Sequence, residues 1–100
     1  MTENRRLHRR ITGPYDGSWD GSAGARDCRV TDLSVAGCFI DSFSRPEMGG
    51  EVIITVGLAG RSFTLPGKVV HVDPVQGFGV QFTECDATRQ LATVLDALAS

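Results

Sequence analysis

Gly77-Phe78-Gly79-Val80-Gln81-Phe82 is the stretch whose reading decides the fold. Phe78, Val80 and Phe82 alternate with Gly79 and Gln81, so an extended chain here has one apolar face and one open face. Upstream of it, turn residues recur at short intervals: Asp20-Gly21, Gly49-Gly50, Gly57, Gly60, Pro66-Gly67 and Pro74. The runs between them are short and rich in Val, Ile, Phe and Thr, which is the texture of antiparallel strands with tight connections. The pattern predicts strands over about 11–19, 26–32, 37–41, 51–57, 61–73 and 77–83. Residues 61–73 are long for one strand, and Pro66-Gly67 is expected to bend or bulge it. Six such strands left flat would expose aggregation-prone edges, so closure into a six-stranded antiparallel β-barrel is expected.

The two ends differ from this texture. After Asp86, an expected N-cap, Leu91, Val94, Leu95 and Leu98 fall at i, i+3, i+4 and i+7. They predict a short amphipathic helix over about 86–98, whose leucine stripe should pack on the barrel because so short a helix is marginal alone. Residues 1–10 are polar and lack apolar periodicity, and they read as a flexible arginine-rich arm ahead of a barrel domain at 11–100. A chain of 100 residues suits one domain with a modest core. No apolar run is long enough to cross a bilayer and no apolar segment backs the N-terminal charges, so membrane insertion and a signal peptide are not expected and the cytoplasm is the default compartment.

The net charge of −2 hides an uneven distribution. The first ten residues carry four Arg against Glu3, a balance of +3, while the remainder balances at −5. A basic arm on an acidic body asks for a compact anionic partner. With Lys68 the only lysine, the chain is too acidic to coat a nucleic acid polymer along a face. Cys28, Cys38 and Cys85 form no C-x-x-C pair and read as mostly buried thiols of a reducing compartment. His8 and His71 lack neighbouring ligands at metal spacing. Asp16-x-Ser18-x-Asp20-Gly21 mimics a calcium loop, but strands rather than helices are expected around it, so it reads as a hairpin tip. A Ser34–His71 nucleophile pair would have no identifiable orienting acid, and no glycine-rich loop enters a helix. No enzyme, metal site or cofactor is expected.

Two segments carry chemistry. Arg5-Arg6-Leu7-His8-Arg9-Arg10 concentrates guanidiniums, whose planar fork grips phosphate oxygens in pairs and whose flat face stacks on a base. A ligand with both phosphates and purines would use both properties; a basic tail that only aids solubility is the plainer reading. In Asp32-Leu33-Ser34-Val35-Ala36-Gly37, Asp32 and Ser34 are two apart and point the same way on an extended chain, an acceptor pair suited to the N–H edge of a guanine. Gly37 allows a turn or a close approach. The plainer reading here is a Ser- or Asx-closed turn.

In order and separation, Arg5-x-x-x-Arg9, Asp32-x-Ser34-x-x-Gly37, the late strand Gly77–Phe82 and the closing helix together resemble the PilZ domain over essentially the whole chain. The resemblance implies a six-stranded barrel that binds cyclic di-GMP without catalysis. It implies that Arg5 and Arg9 hold phosphates and stack on guanine faces, that Asp32 and Ser34 bond a guanine, and that Gly37 gives the backbone room. The doubled arginines also permit Arg6-x-x-x-Arg10, in which case Arg5 directly precedes the motif at a position that influences ligand number. The extra guanidiniums favour a stacked pair of ligands. The implied output is contact with a downstream protein partner in motility, biofilm or virulence control. Two other readings remain open: a PilZ-like adaptor that binds no nucleotide, and a small barrel that binds RNA or single-stranded DNA, against which the acidic body and the core-like phenylalanine positions argue.

Overall fold

Strand β6 (Gly77–Phe82) buries Phe78, Val80 and Phe82, as its alternation requires. The computed structural model describes residues 10–22 and 24–99. Ahead of β6 run β1 (Arg10–Gly21), β2 (Gly24–Ser34), β3 (Gly37–Asp41), β4 (Glu51–Leu58) and β5 (Arg61–Asp73). Every neighbouring pair is antiparallel, and the order β1-β2-β3-β6-β5-β4 closes on itself through Gly17–Asp20 of β1 against Ile53–Val56 of β4. Closure into a barrel is thus observed, and it removes most of the unpaired edges that six flat strands would leave.

The core fills the barrel with branched aliphatic side chains from alternate positions. β4 shows the logic most plainly, with Val52, Ile54, Val56 and Leu58 buried and the residues between them facing out. Trp19 is buried edge-on against Phe78, with ring centroids 5.1 Å apart and planes at 75°. Its indole Nε1 donates to Ser42 Oγ at 3.2 Å, so its one polar atom is satisfied.

Helix α1 (Asp86–Ala99) packs on β1 and β5. Leu91 and Leu95 are fully buried and Val94 partly so, while Leu98 lies half in solvent. The cap differs from expectation by one residue. The Cys85 carbonyl accepts the first helical bond from Arg89 N at 3.1 Å, and Cys85 N donates to Thr88 Oγ1 at 2.9 Å. Cys85 is therefore the N-cap, with Thr88 reaching back in the manner of a capping box, and Asp86 is the first helical residue, where its charge favours the positive helix end.

The irregularity of β5 also moves. Its register against β6 shifts between Val69 and His71, not at Pro66-Gly67. Pro66 and Gly67 stay in register with Ile53 and Val52, and the Pro66 carbonyl accepts from Thr83 N at 2.8 Å. A Cβ on Gly67 would sit 2.7 Å from Gln81 O, so this glycine serves close approach of β6 rather than a bend. The bulge turns consecutive residues Val70 and His71 outward.

The β4–β5 connection is a two-residue turn, Ala59-Gly60, with φ of 55° and 75°. Two left-handed positions define the type I′ hairpin turn, in which Asn-Gly is favoured and a Cβ at the first position is strained. Ala59→Asn is expected to stabilise the protein by about 0.5–1 kcal/mol. An unchanged or lower denaturation midpoint would contradict this account of the turn.

Candidate functional site

The β2–β3 connection positions the acidic half of the site. Ser34 ends β2, and its hydroxyl accepts from Ala36 N at 3.2 Å and Gly37 N at 3.3 Å and donates to Gly37 O at 3.3 Å. These local bonds close the turn from within, so the side chain holds the backbone shape of the motif. The turn is further tied to β6, where Phe82 N donates to Ala36 O at 2.8 Å. Gly37 is needed for packing: a Cβ there would lie 2.1 Å from Val80 O and 3.2 Å from Gln81 Cα. Its missing side chain admits β6.

Cross-strand register then gathers the remaining groups. Arg10, the first residue of β1, stands opposite Ser34, and Thr12 stands opposite Asp32. Arg10 Nη2 lies 3.6 Å from Asp32 Oδ2, with side-chain exposures of 63% and 44%. A pair this exposed is worth about 0–1 kcal/mol, so either partner is released to a ligand at little cost. On the other side Asp32 pairs with Phe39, Phe39 with Gly79, and Gly79 with His71. One step along the barrel, Gly37 pairs with Gln81 and Gln81 with Lys68.

These rows bound a shallow pocket of about 480 Å³ lined by Arg10, Asp32, Ser34, Gly37, Phe39, Val70 and Gln81, with parts of Leu33, Ala36, Cys38 and Val80. Of the residues singled out from sequence, Arg10, Asp32, Ser34 and Gly37 come together here. Arg5, Arg6, His8 and Arg9 lie outside the described residues. Phe39, Val70 and Gln81 were missed. Phe39 follows Gly37 by two and Gln81 lies on the open face of β6, so period-two alternation carried both. Val70 faces the pocket at the bulge in β5, which no local residue signals.

The reactive-looking groups elsewhere are quiet. Burial, with a smaller contribution from Asp27, pushes the Cys28 thiol up to about 11, and burial pushes Cys38 higher still. Both are poor nucleophiles at neutral pH. Of the three cysteines only Cys38 is buried; Cys28 and Cys85 are half-buried. Asp16, Ser18 and Asp20 lie on β1 of a long hairpin with β2, and His71 is on a strand surface. Among the described residues no group of His, Cys, Asp or Glu is placed to hold a metal, and no helix is long and apolar enough to cross a membrane.

Comparison with known proteins agrees with the architecture. The profile of the family described as PilZ domain matches residues 4–98. No curated protein matches the chain. Among solved structures, the PilZ domain of CeSA from a cellulose-synthesizing bacterium superposes with a TM-score of 0.65 at 17% identity, covering 90% of this chain and 93% of that one. An uncharacterized Legionella protein gives 0.67 at 16% identity, with 89% and 91% covered. The Bacillus subtilis inhibitor of motility MotI/DgrA gives 0.73 at 15% identity, covering 94% of this chain and 50% of that one. At these identities the likeness is one of fold.

Proposed function

The chain belongs to the PilZ domain family, and from that premise we propose that it is a cyclic di-GMP receptor that relays its signal by protein–protein contact. PilZ domains generally bind this dinucleotide and act as binding or adaptor domains rather than catalysts. The observation that carries the reading is the convergence of Arg10, Asp32 and the Ser34-closed turn on one open pocket. In the proposed complex the Asp32 carboxylate accepts two N–H donors of one guanine. Ser34 keeps the turn in shape, and its hydroxyl reaches the same base only by exchanging one of its turn bonds for the ligand. Arg5 and Arg9 clamp phosphates and stack on purine faces, with Arg6 and Arg10 adding contacts that favour a stacked ligand pair.

Magnitudes support a signalling affinity. Charge-assisted bonds contribute about 1.5–3 kcal/mol each and stacking about 1–3 kcal/mol per base. Ordering an arm opposes them by about 1 kcal/mol or more per residue fixed. The balance sits near −8 kcal/mol, a micromolar Kd. Closing the arm over the wall would alter the surface shown to a partner, and similarity to an inhibitor of motility supports an output of that kind.

Titration of the protein with cyclic di-GMP, read by heat and by native mass, tests this. Micromolar binding with two ligands per chain is expected. No heat at about 100 μM ligand would overturn the receptor reading in favour of a nucleotide-free adaptor. Asp32→Ala is expected to weaken binding by about 1.5–3 kcal/mol, roughly 10- to 150-fold, through loss of charged acceptors. Wild-type affinity in that variant would contradict the guanine contact.

A further inference from the structure

β2 is longer than β3, one of the two strands it pairs with. β3 ends at Asp41, opposite Arg29, so Gly24–Cys28 of β2 pair with β1 on one side and, among the described residues, with no strand on the other. Where β3 stops, the chain turns away through Ser42, held by Trp19, and leaves Phe43 fully exposed. Asp16, Gly17, Asp27, Cys28, Arg29, Asp41, Ser42 and Phe43 line a groove of about 560 Å³ along this open edge. Asp16, Arg29 and Asp41 form one cross-strand row on the outer face, and Asp27 lies two residues before Arg29 on the same face. Arg29 contacts Asp16 at 3.8 Å, and no described cation pairs with Asp27 or Asp41. The groove is therefore net acidic, with an unpaired backbone edge on one flank and an exposed aromatic ring at its end.

We propose that this edge is a β-augmentation site for an extended basic segment of a partner protein, which would take the place β3 vacates beside Ala25–Cys28. The backbone edge supplies main-chain hydrogen bonds of the ladder type. Alternate side chains of an added strand lie over the outer face, where arginine or lysine meets Asp27 and Asp41, and an apolar neighbour covers Phe43. The edge carboxylates repel acidic strands and a second copy of the same acidic edge, so the charges select the occupant. The site is separate from the pocket at Asp32 and does not depend on nucleotide binding.

A fluorescein-labelled peptide of about eight residues alternating arginine and valine serves as the probe, read by anisotropy on the full chain. A Kd of roughly 10–100 μM is expected, with the largest amide shifts at Ala25–Cys28. Substituting glutamate for the arginines, or proline for the central valines, should weaken binding at least about tenfold. The double variant Asp27→Lys/Asp41→Lys should do the same, and Phe43→Ser should weaken binding without affecting the fold, because that ring is fully exposed. Asp32→Ala should bind the peptide like the wild type, which separates this site from the nucleotide site. The proposal is overturned by equal binding of all three peptides, by no binding at about 1 mM, by shifts confined to Asp32–Gly37, or by a self-dimer that masks the edge.

Discussion

Arg9→Ala is expected to show no binding heat with cyclic di-GMP at about 100 μM ligand, a loss beyond about 3 kcal/mol, while its unfolding free energy stays within about 0.5 kcal/mol of wild type. The size of the effect follows from what one guanidinium does in the proposed complex. It forms paired bonds to phosphate oxygens and stacks on a purine, so truncation removes both and leaves ligand charge unanswered. Arg9 directly precedes Arg10 in the sequence, and Arg10 lines the pocket and stands opposite Ser34. Arg9→Lys keeps the charge but loses the fork and the flat face, and is expected to fall between the two. Calorimetry together with chemical denaturation separates binding from folding. Wild-type affinity in Arg9→Ala, with loss in Arg10→Ala instead, would move the arm to the Arg6/Arg10 register.

Gly37→Ala is expected to destabilise the fold itself by at least about 3 kcal/mol, more than any single contact at the pocket contributes to stability. The added methyl would meet the Val80 carbonyl at 2.1 Å and the carbon of that carbonyl at 3.1 Å, both backbone atoms that have no rotamer to give. Relief requires β3 and β6 to part, and Gly37–Asp41 against Gln81–Gly77 is one of the six seams that close the barrel. The variant should therefore lose cyclic di-GMP binding together with cooperative unfolding. Retention of a wild-type midpoint with loss of binding alone would instead make Gly37 a residue that admits the ligand.

Much of the chain was legible because its rules are local. Alternation in Gly77–Phe82 and the turn residues between short β-branched runs placed the strands within a few residues of their observed limits. The spacing of Leu91, Val94 and Leu95 placed the helix and its buried stripe. The misplaced features share one cause, which is that a partner strand or turn decides them. Pro66-Gly67 looks like a break in isolation, yet strands on both sides hold it straight. Cys85 takes the cap ahead of Asp86 because Thr88 reaches it, a bond invisible to residue preference.

The candidate site divides the same way. Asp32 and Ser34 could be paired from sequence because a strand turns residues two apart to one face, and the concentration of arginine near the start of the chain is the basis on which an anionic ligand is proposed. That Arg10 would stand beside Asp32, that Gly37 would be occupied by β6, and that Val70 would face the same pocket depended on register between strands far apart in the chain, such as Gly37 against Gln81. Alternation, turn chemistry and charge distribution act over a few residues, so the amino-acid sequence by itself determined the element types and the charge pattern from which an anionic ligand is proposed. Which side chains share a wall, and where β2 runs on past the end of β3 to leave an open edge, was decided only when the barrel closed, because pairing register is set by packing both faces of every strand at once.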